Sequence, residues 1–259
     1  MASAAPTVSI DAGRVIGRGF EALKANFLPF FALALLLVGV PGFLGQYFMY
    51  SGARTMDPAF ILSGGFWWPL AASLFGTFLG TALLQGMLTR STILHLSGRE
   101  PDLGASATLA LRLILPIIGL TICVGIAIGI GFLCLIVPGI MIWCAFCVAV
   151  PALIEERGGV FASIGRSREL TRGSRFQIFL LGVLFWISSV VISGILGAIT
   201  GVSMWGSGVM PDPLLAGASN GIATSLTAVI STVLIAALYV ELREVKEGTG
   251  ANELADVFG

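Results

Sequence analysis

Four arginines fall within ten positions of the stretch ASIGRSRELTRGSRF, residues 162–176: Arg166, Arg168, Arg172 and Arg175. Guanidinium groups this close together can hold a phosphate or carboxylate through paired N–H donors. They can equally act as a block of charge that refuses to cross a bilayer and so sets topology. Just before them stands a second charged group, Glu155–Glu156–Arg157. Its carboxylates are expected to mark a membrane interface and to pair with the neighbouring arginines, which would hold that segment against the span before it; the alternative is a site that couples the segment to the spans on either side. Glu155→Ala is then expected to destabilise the protein more than Asp57→Ala in an outer loop. The cysteines and the histidine offer less. Cys144 and Cys147 form a C-x-x-C, a spacing used for zinc or redox chemistry. No second pair and no histidine lies near it, Cys123 and Cys134 stand alone in apolar runs, and His95 is the sole histidine. Packing as small hydrophobes is the expectation for all four thiols. No nucleophile–base pair recurs at helical spacing, so no catalytic residue, metal site or cofactor is assigned.

The elements that position these residues follow from composition. Of 259 residues, 56% are hydrophobic and 11% charged, and the mean hydropathy is +0.98. A water-soluble domain carries roughly 25% charged residues, so the chain reads as an all-α polytopic membrane protein, a single integral domain over 1–259. The formal net charge is zero, which gives no long-range field to attract nucleic acid. Charged residues bound five uncharged runs, 25–53, 58–89, 113–154, 176–211 and 213–240. A bilayer core needs about 20 helical residues, so four runs hold one span each and 113–154 holds two. The expected spans are 27–49, 60–88, 110–135, 139–154, 176–200 and 214–240, with the long run broken near Pro138, where proline suits a helix start. No cleavable leader is expected, because Arg14, Arg18, Glu21 and Lys24 separate ASAAP from the first apolar run.

With the N-terminus inside, the segments 1–25, 90–112, 155–175 and 241–259 carry 13 of the 14 Lys and Arg residues. The positive-inside bias therefore predicts both termini in the cytoplasm. Tyr47, Tyr50, Trp67, Trp68 and Trp205 fall at the predicted outer ends, the headgroup layer that amphipathic rings favour.

Each odd-numbered span follows a segment of similar character: DAGRVIGRGFEALKANFLPFF, DLGASATLALRLILPIIG and FASIGRSRELTRGSRFQIFLLG. The expected unit is a short interfacial helix followed by a hairpin, present three times as parallel repeats. In the third copy, an interfacial helix over about 159–173 gathers Val160, Ser163, Ile164, Ser167, Leu170 and Thr171 on one arc. Arg166, Arg168, Glu169 and Arg172 take the opposite arc, so the small apolar face is expected to lie down in the membrane interface. Small-xxx-small pairs occur at Gly76/Gly80, Gly125/Gly129, Gly197/Gly201 and Gly217/Gly221. They are expected to mark close helix–helix packing within the chain.

The run VPGIMIWCAFCVAVPALIEERGGVFASIGRSRELTRGSRFQIFLLGVL, Val137 to Leu184, resembles the core of the YciC-like bacterial inner-membrane proteins. The same family carries the label glycerophosphoryl diester phosphodiesterase membrane domain. The resemblance rests on Pro138–Gly139, Pro151, Glu155, Arg166–Ser167, Leu170–Gly173 and Phe176, with ALYVELREVKEG similar to the family's exit from its last span. It covers the second half of the chain by motif and the first half by hydropathy. It implies a membrane domain of the kind that some relatives join to a catalytic barrel. A (β/α)8 barrel takes about 250 residues, which leaves no room for one here, and one histidine cannot furnish a metal-dependent phosphodiesterase site.

Three functional classes follow. The first is a non-catalytic inner-membrane protein with an envelope, lipid-associated or scaffolding role, its partners being membrane lipids, anionic ones included, or other membrane proteins. The second is a transporter or channel. Ion pathways place ionisable groups inside spans, and the uncharged runs that supply the expected spans hold no Asp, Glu, Lys or Arg, with Gln46 and Gln85 near the span ends. Passage of a lipid or an apolar solute stays open. The third, an intramembrane enzyme using Cys, Ser or His95, lacks a paired base.

Overall fold

The computed structural model describes residues 10–55, 67–199 and 212–248. Among these the secondary structure is helical, and six helices are long and apolar enough to cross a membrane. This is compatible with an integral membrane protein. The first is a long rod of α1 (Ala12–Ala34), a π-helical turn (Leu35–Gly39) and α2 (Val40–Thr55). Then come α3 (Trp67–Leu96), the short α4 (Leu103–Arg112), α5 (Ile114–Cys134), α6 (Ile136–Phe146) with α7 (Ala149–Glu156), the short α8 (Val160–Thr171), α9 (Arg175–Ile199) and α10 (Pro213–Glu247). The loop residue Asp57, Trp205, Gly201 and the C-terminal tail from 249 lie outside the described residues.

Prolines set the breaks. Backbone angles leave the helical region at Asn26, Leu113, Leu135 and Val148. In each case a proline, Pro29, Pro116, Pro138 or Pro151, stands three residues later. The first-turn N–H groups of a helix have no acceptor within it, so a proline there forfeits nothing, whereas one turn deeper it would break a bond and clash. The turn between the third and fourth spans therefore falls at Leu135, extended with φ −169° and ψ 155°, and not at Pro138. The fourth span starts at Ile136. The outer spans are also longer than expected: the first begins at Ala12 and the last runs to Glu247.

The three short segments before the odd spans are helices, two of them capped alike. Asp11 Oδ1 accepts from Gly13 N at 2.8 Å, and Asp102 Oδ1 accepts from Gly104 N at 2.8 Å. In the first copy only a kink at Asn26 separates this segment from the span.

The bundle is organised around α10. Half of its most apolar stretch is buried, against 6% for α9, so α9 is the peripheral span. The first rod runs antiparallel to α10: Gly19 lies beside Leu234, Gly39 beside Gly221 and Ser225, and Phe43 beside Gly217. A Cβ on Gly39, Gly217 or Gly221 would meet the facing chain within 3.0 Å. Across the rod lies α3, with Gly80 pressed on the backbone of Leu37 and Gly76 on Pro41. Proline at 41 removes the donor that would normally serve the Leu37 carbonyl, which leaves that carbonyl facing Gly80. Ser73 Oγ donates to the Pro41 carbonyl at 2.6 Å and locks the same crossing.

The glycine pairs therefore divide. Gly76/Gly80 and Gly217/Gly221 sit at helix crossings, but Gly125 and Gly129 have nothing within 4 Å of where a Cβ would stand. Their expected packing role is corrected: among the described residues α5 crosses no helix at that face. Gly197 is half-buried near the end of α9. The crossings also use Gly39 and Gly45, which carry no small-xxx-small spacing.

Candidate functional site

The arginine segment is built by an unusual entry and a glycine exit. After α7, Arg157 takes a left-handed conformation (φ 52°) and Gly159 a positive φ of 83°, which reverses the chain into α8. After Thr171, extended Arg172 and Gly173 (φ 95°) turn it again into α9. Only glycine adopts such angles freely, so GG at 158–159 and RG at 172–173 punctuate the segment.

The expected division of α8 holds, but its burial has a different cause. Ser163, Ser167, Leu170 and Thr171 are buried against protein. The Ser167 hydroxyl donates to the Ala145 carbonyl at 2.9 Å and the Thr171 hydroxyl to the same oxygen at 3.3 Å. Ala145 lies in the last turn of α6, where carbonyls lack helical partners. The small face of α8 thus caps α6 and is not turned down toward lipid.

The four arginines separate into two roles. Arg166 points to the end of α10 and α7. Its Nε donates to Glu156 Oε1 at 2.8 Å, Nη1 lies 3.6 Å from Glu169 Oε2, and Nη2 pairs with Glu247. The bond to Glu156 raises the Arg166 pKa above its ordinary value, with the charges of Glu156 and Glu169 adding to it. The raised pKa means that this contribution would be lost only as pH rises through the arginine's own titration, far above neutrality, so the clamp is insensitive to pH near neutrality. Tyr239 Oη also donates to Glu156 Oε1, at 3.0 Å, and Arg243 Nε donates to Glu247 Oε2 at 2.8 Å. Lys246 Nζ donates to the Arg172 carbonyl at 2.7 Å and holds the turn.

Arg168, Arg172 and Arg175 instead line one open groove of about 710 Å³, together with Glu169, Gly165, Gly173 and Phe176. Three guanidinium groups face one carboxylate there. Arg168 and Arg172 are exposed; Arg175 is half-buried, and its Nε has no hydrogen-bond partner among the described residues. The two glycines leave backbone open around the arginines, so a phosphate-sized anion can approach. Such a group matches the planar, forked donors of arginine.

Of the preceding trio, Glu156 is the member that joins the arginine segment. Glu155 is half-buried in the last turn of α7, and Arg157 is exposed and serves the turn. The interface pairing thus rests on Glu156, one position beyond the residue chosen for substitution from sequence.

A second ionic cluster had no counterpart in the sequence reading. Glu241 is completely buried, yet Arg14 Nη2 lies 2.8 Å from its Oε1 and Arg18 Nη1 3.2 Å from its Oε2. Neither contact has hydrogen-bond alignment. Arg18 Nη1 also donates to Glu244 Oε2 at 2.7 Å. The two clusters share the end of α10 and bring the chain near residues 14–18, 156–172 and 241–247 to one end of the bundle. The signal in sequence was present but weak: arginines four apart at 14 and 18, and glutamates three apart at 241, 244 and 247.

All four cysteines are free thiols. Cys147 Sγ donates to the Cys144 carbonyl at 3.3 Å, one turn back on its own helix. His95 is half-buried in the last turn of α3. Among the described residues no three His, Cys, Asp or Glu side chains converge as a metal site. No protein-family model matches the chain, and no solved structure matches it.

Proposed function

We propose that this is a non-catalytic integral protein of the bacterial inner membrane that binds the anionic headgroup of a lipid at the turn between α8 and α9. The observation that supports it is the convergence of Arg168, Arg172 and Arg175 on one groove, with a buried Arg175 Nε that has no hydrogen-bond partner among the described residues. Basic residues beside an anionic leaflet contribute about 1 kcal/mol each. A concave site with forked donors adds orientation to that attraction. The topology in this reading has both termini in the cytoplasm, with the arginine end of the bundle at the inner leaflet. The resemblance to the YciC-like family agrees with this placement and assigns no chemistry.

The test is a native mass spectrum in mild detergent, with phosphatidylglycerol supplied. The parent is expected to retain phosphatidylglycerol, Arg168→Gln/Arg172→Gln/Arg175→Gln to lose it, and Arg166→Gln to keep it at reduced stability. Equal retention by the parent and the triple variant would leave these arginines as a topology signal. A second reading, passage of a lipid or apolar solute, is favoured by one observation: an apolar cleft opens beside the groove along α9.

A further inference from the structure

That cleft has a volume of about 490 Å³ and lies between α9 and a wall made by α1, α5, α6 and α10. Phe20, Trp143, Phe146, Leu181, Phe185 and Leu234 form much of its surface. The few polar groups in it are already committed. Ser188 Oγ donates to Leu184 O at 2.9 Å, and Ser231 Oγ donates to Ala228 O at 3.0 Å. The lining therefore offers an occupant dispersion contacts and no specific hydrogen bond. Its size falls within the roughly 300–1,000 Å³ of small-molecule sites.

The cleft exists because α9 leans on the bundle at few points. Ile178 is its one buried side chain, and Gly182 lets the helix rest directly against the ring of Trp143. Between such points the helices part. A void of this kind forfeits contacts on every wall unless something apolar fills it, and water has no partners inside it.

Charge fixes which hydrocarbon fits. Arg175 and Phe176 line the arginine groove, and Ile178, Leu181 and Gly182 line the cleft. From 175 to 178 is three residues, about 4.5 Å along a helix. A cationic hollow and an apolar one thus follow each other along a single helix, in the order of a phosphate and its acyl chain.

Building on the headgroup site proposed above, we propose that the cleft holds one acyl chain of a phospholipid whose phosphate lies against Arg168, Arg172 and Arg175. The two hollows form one site for an anionic phospholipid, with α9 as its outer wall.

The test places a reporter in the cleft. Trp67, Trp68, Trp186 and Trp205 are changed to Phe, which leaves Trp143 as the sole tryptophan, and a matching variant keeps only Trp186 on the exposed side of α9. Both are reconstituted in phosphatidylcholine vesicles doped with phosphatidylglycerol or phosphatidylcholine brominated on an acyl chain. Trp143 is expected to reach half-quenching at a several-fold lower content of brominated phosphatidylglycerol than of brominated phosphatidylcholine, and Trp186 at equal contents. Ser188→Leu and Ser231→Leu, singly or together, fill the cleft and abolish the preference at Trp143, while native mass spectra still show phosphatidylglycerol bound. Equal quenching of Trp143 by both lipids, in a protein that retains phosphatidylglycerol through its arginines, would overturn the acyl-chain site and leave the headgroup site standing. Loss of both the quenching preference and the arginine-dependent retention would overturn both.

Discussion

The Glu241 cluster makes the sharpest energetic prediction because its members differ so much in exposure. Glu241 is 0% exposed, while Arg14 and Arg18 are 56% and 31% exposed. Removing the carboxylate with Glu241→Gln leaves two guanidinium groups that water reaches, so the loss is the pairing itself, discounted by screening at Arg14. That loss is about 1–2 kcal/mol. Removing both cations with Arg14→Ala/Arg18→Ala leaves a carboxylate with neither water nor partner, and stranding one member of a buried pair costs about 3–5 kcal/mol. The double variant should therefore be the worse by about 2–3 kcal/mol, some 30- to 150-fold in the folding equilibrium. Adding Glu241→Gln to it removes the stranded charge and should restore about 2 kcal/mol, a coupling that a mutant cycle isolates. The assay is equilibrium unfolding of detergent-solubilised protein by dodecyl sulfate, followed by circular dichroism. Equal costs for the two perturbations, or a triple variant no more stable than the double, would refute the reasoning.

Other outcomes follow from the same geometry. Arg166→Gln should lower stability by about 1–3 kcal/mol through loss of charge-assisted bonds to Glu156 and Glu247, whereas exposed Arg168→Gln should stay within about 0.5 kcal/mol; parallel unfolding curves decide it. Gly80→Ala pushes a methyl onto the Leu37 carbonyl and should cost about 1–3 kcal/mol, while Gly125→Ala meets open space and should be neutral or gain up to about 1 kcal/mol in helix propensity. Ser167→Ala and Thr171→Ala together leave the Ala145 carbonyl unserved and should loosen α8, read as faster amide exchange across 160–171. Retention of phosphatidylglycerol should fall as ionic strength rises, since exposed charges are screened within about 10 Å at 0.1 M salt; retention unchanged by salt would argue against guanidinium–phosphate pairing.

The six apolar helices were legible because uncharged runs of bilayer length survive any detail of packing. The short helices before the odd spans were legible too, from the similar character of the three segments and from the small face of α8. The break between the third and fourth spans was misplaced by three residues because proline was read as a first helical position, while this chain sets it at the third, as at Pro29, Pro116 and Pro151. Gly125 and Gly129 share the spacing of Gly76 and Gly80, yet spacing names a helix face without naming its neighbour. Glu241 was hidden by its place: a charge at the end of an apolar run reads as an interface residue. Its burial depends on a helix more than two hundred residues earlier. The arginine segment was visible as a cluster, but which arginine clamps and which three face the groove depends on Glu156, Glu247 and the turn at Gly173.

The measurement that bears most directly on the central claim is the melting temperature of the detergent-solubilised protein on addition of short-chain phosphatidylglycerol, beside short-chain phosphatidylcholine as control. A ligand that binds the folded state alone stabilises it by about 2.7 kcal/mol at a hundredfold excess over its dissociation constant. The account predicts that phosphatidylglycerol raises the melting temperature of the parent and of Arg166→Gln, and that it leaves Arg168→Gln/Arg172→Gln/Arg175→Gln unmoved. A triple variant stabilised as much as the parent, or a parent stabilised equally by phosphatidylcholine, would contradict it.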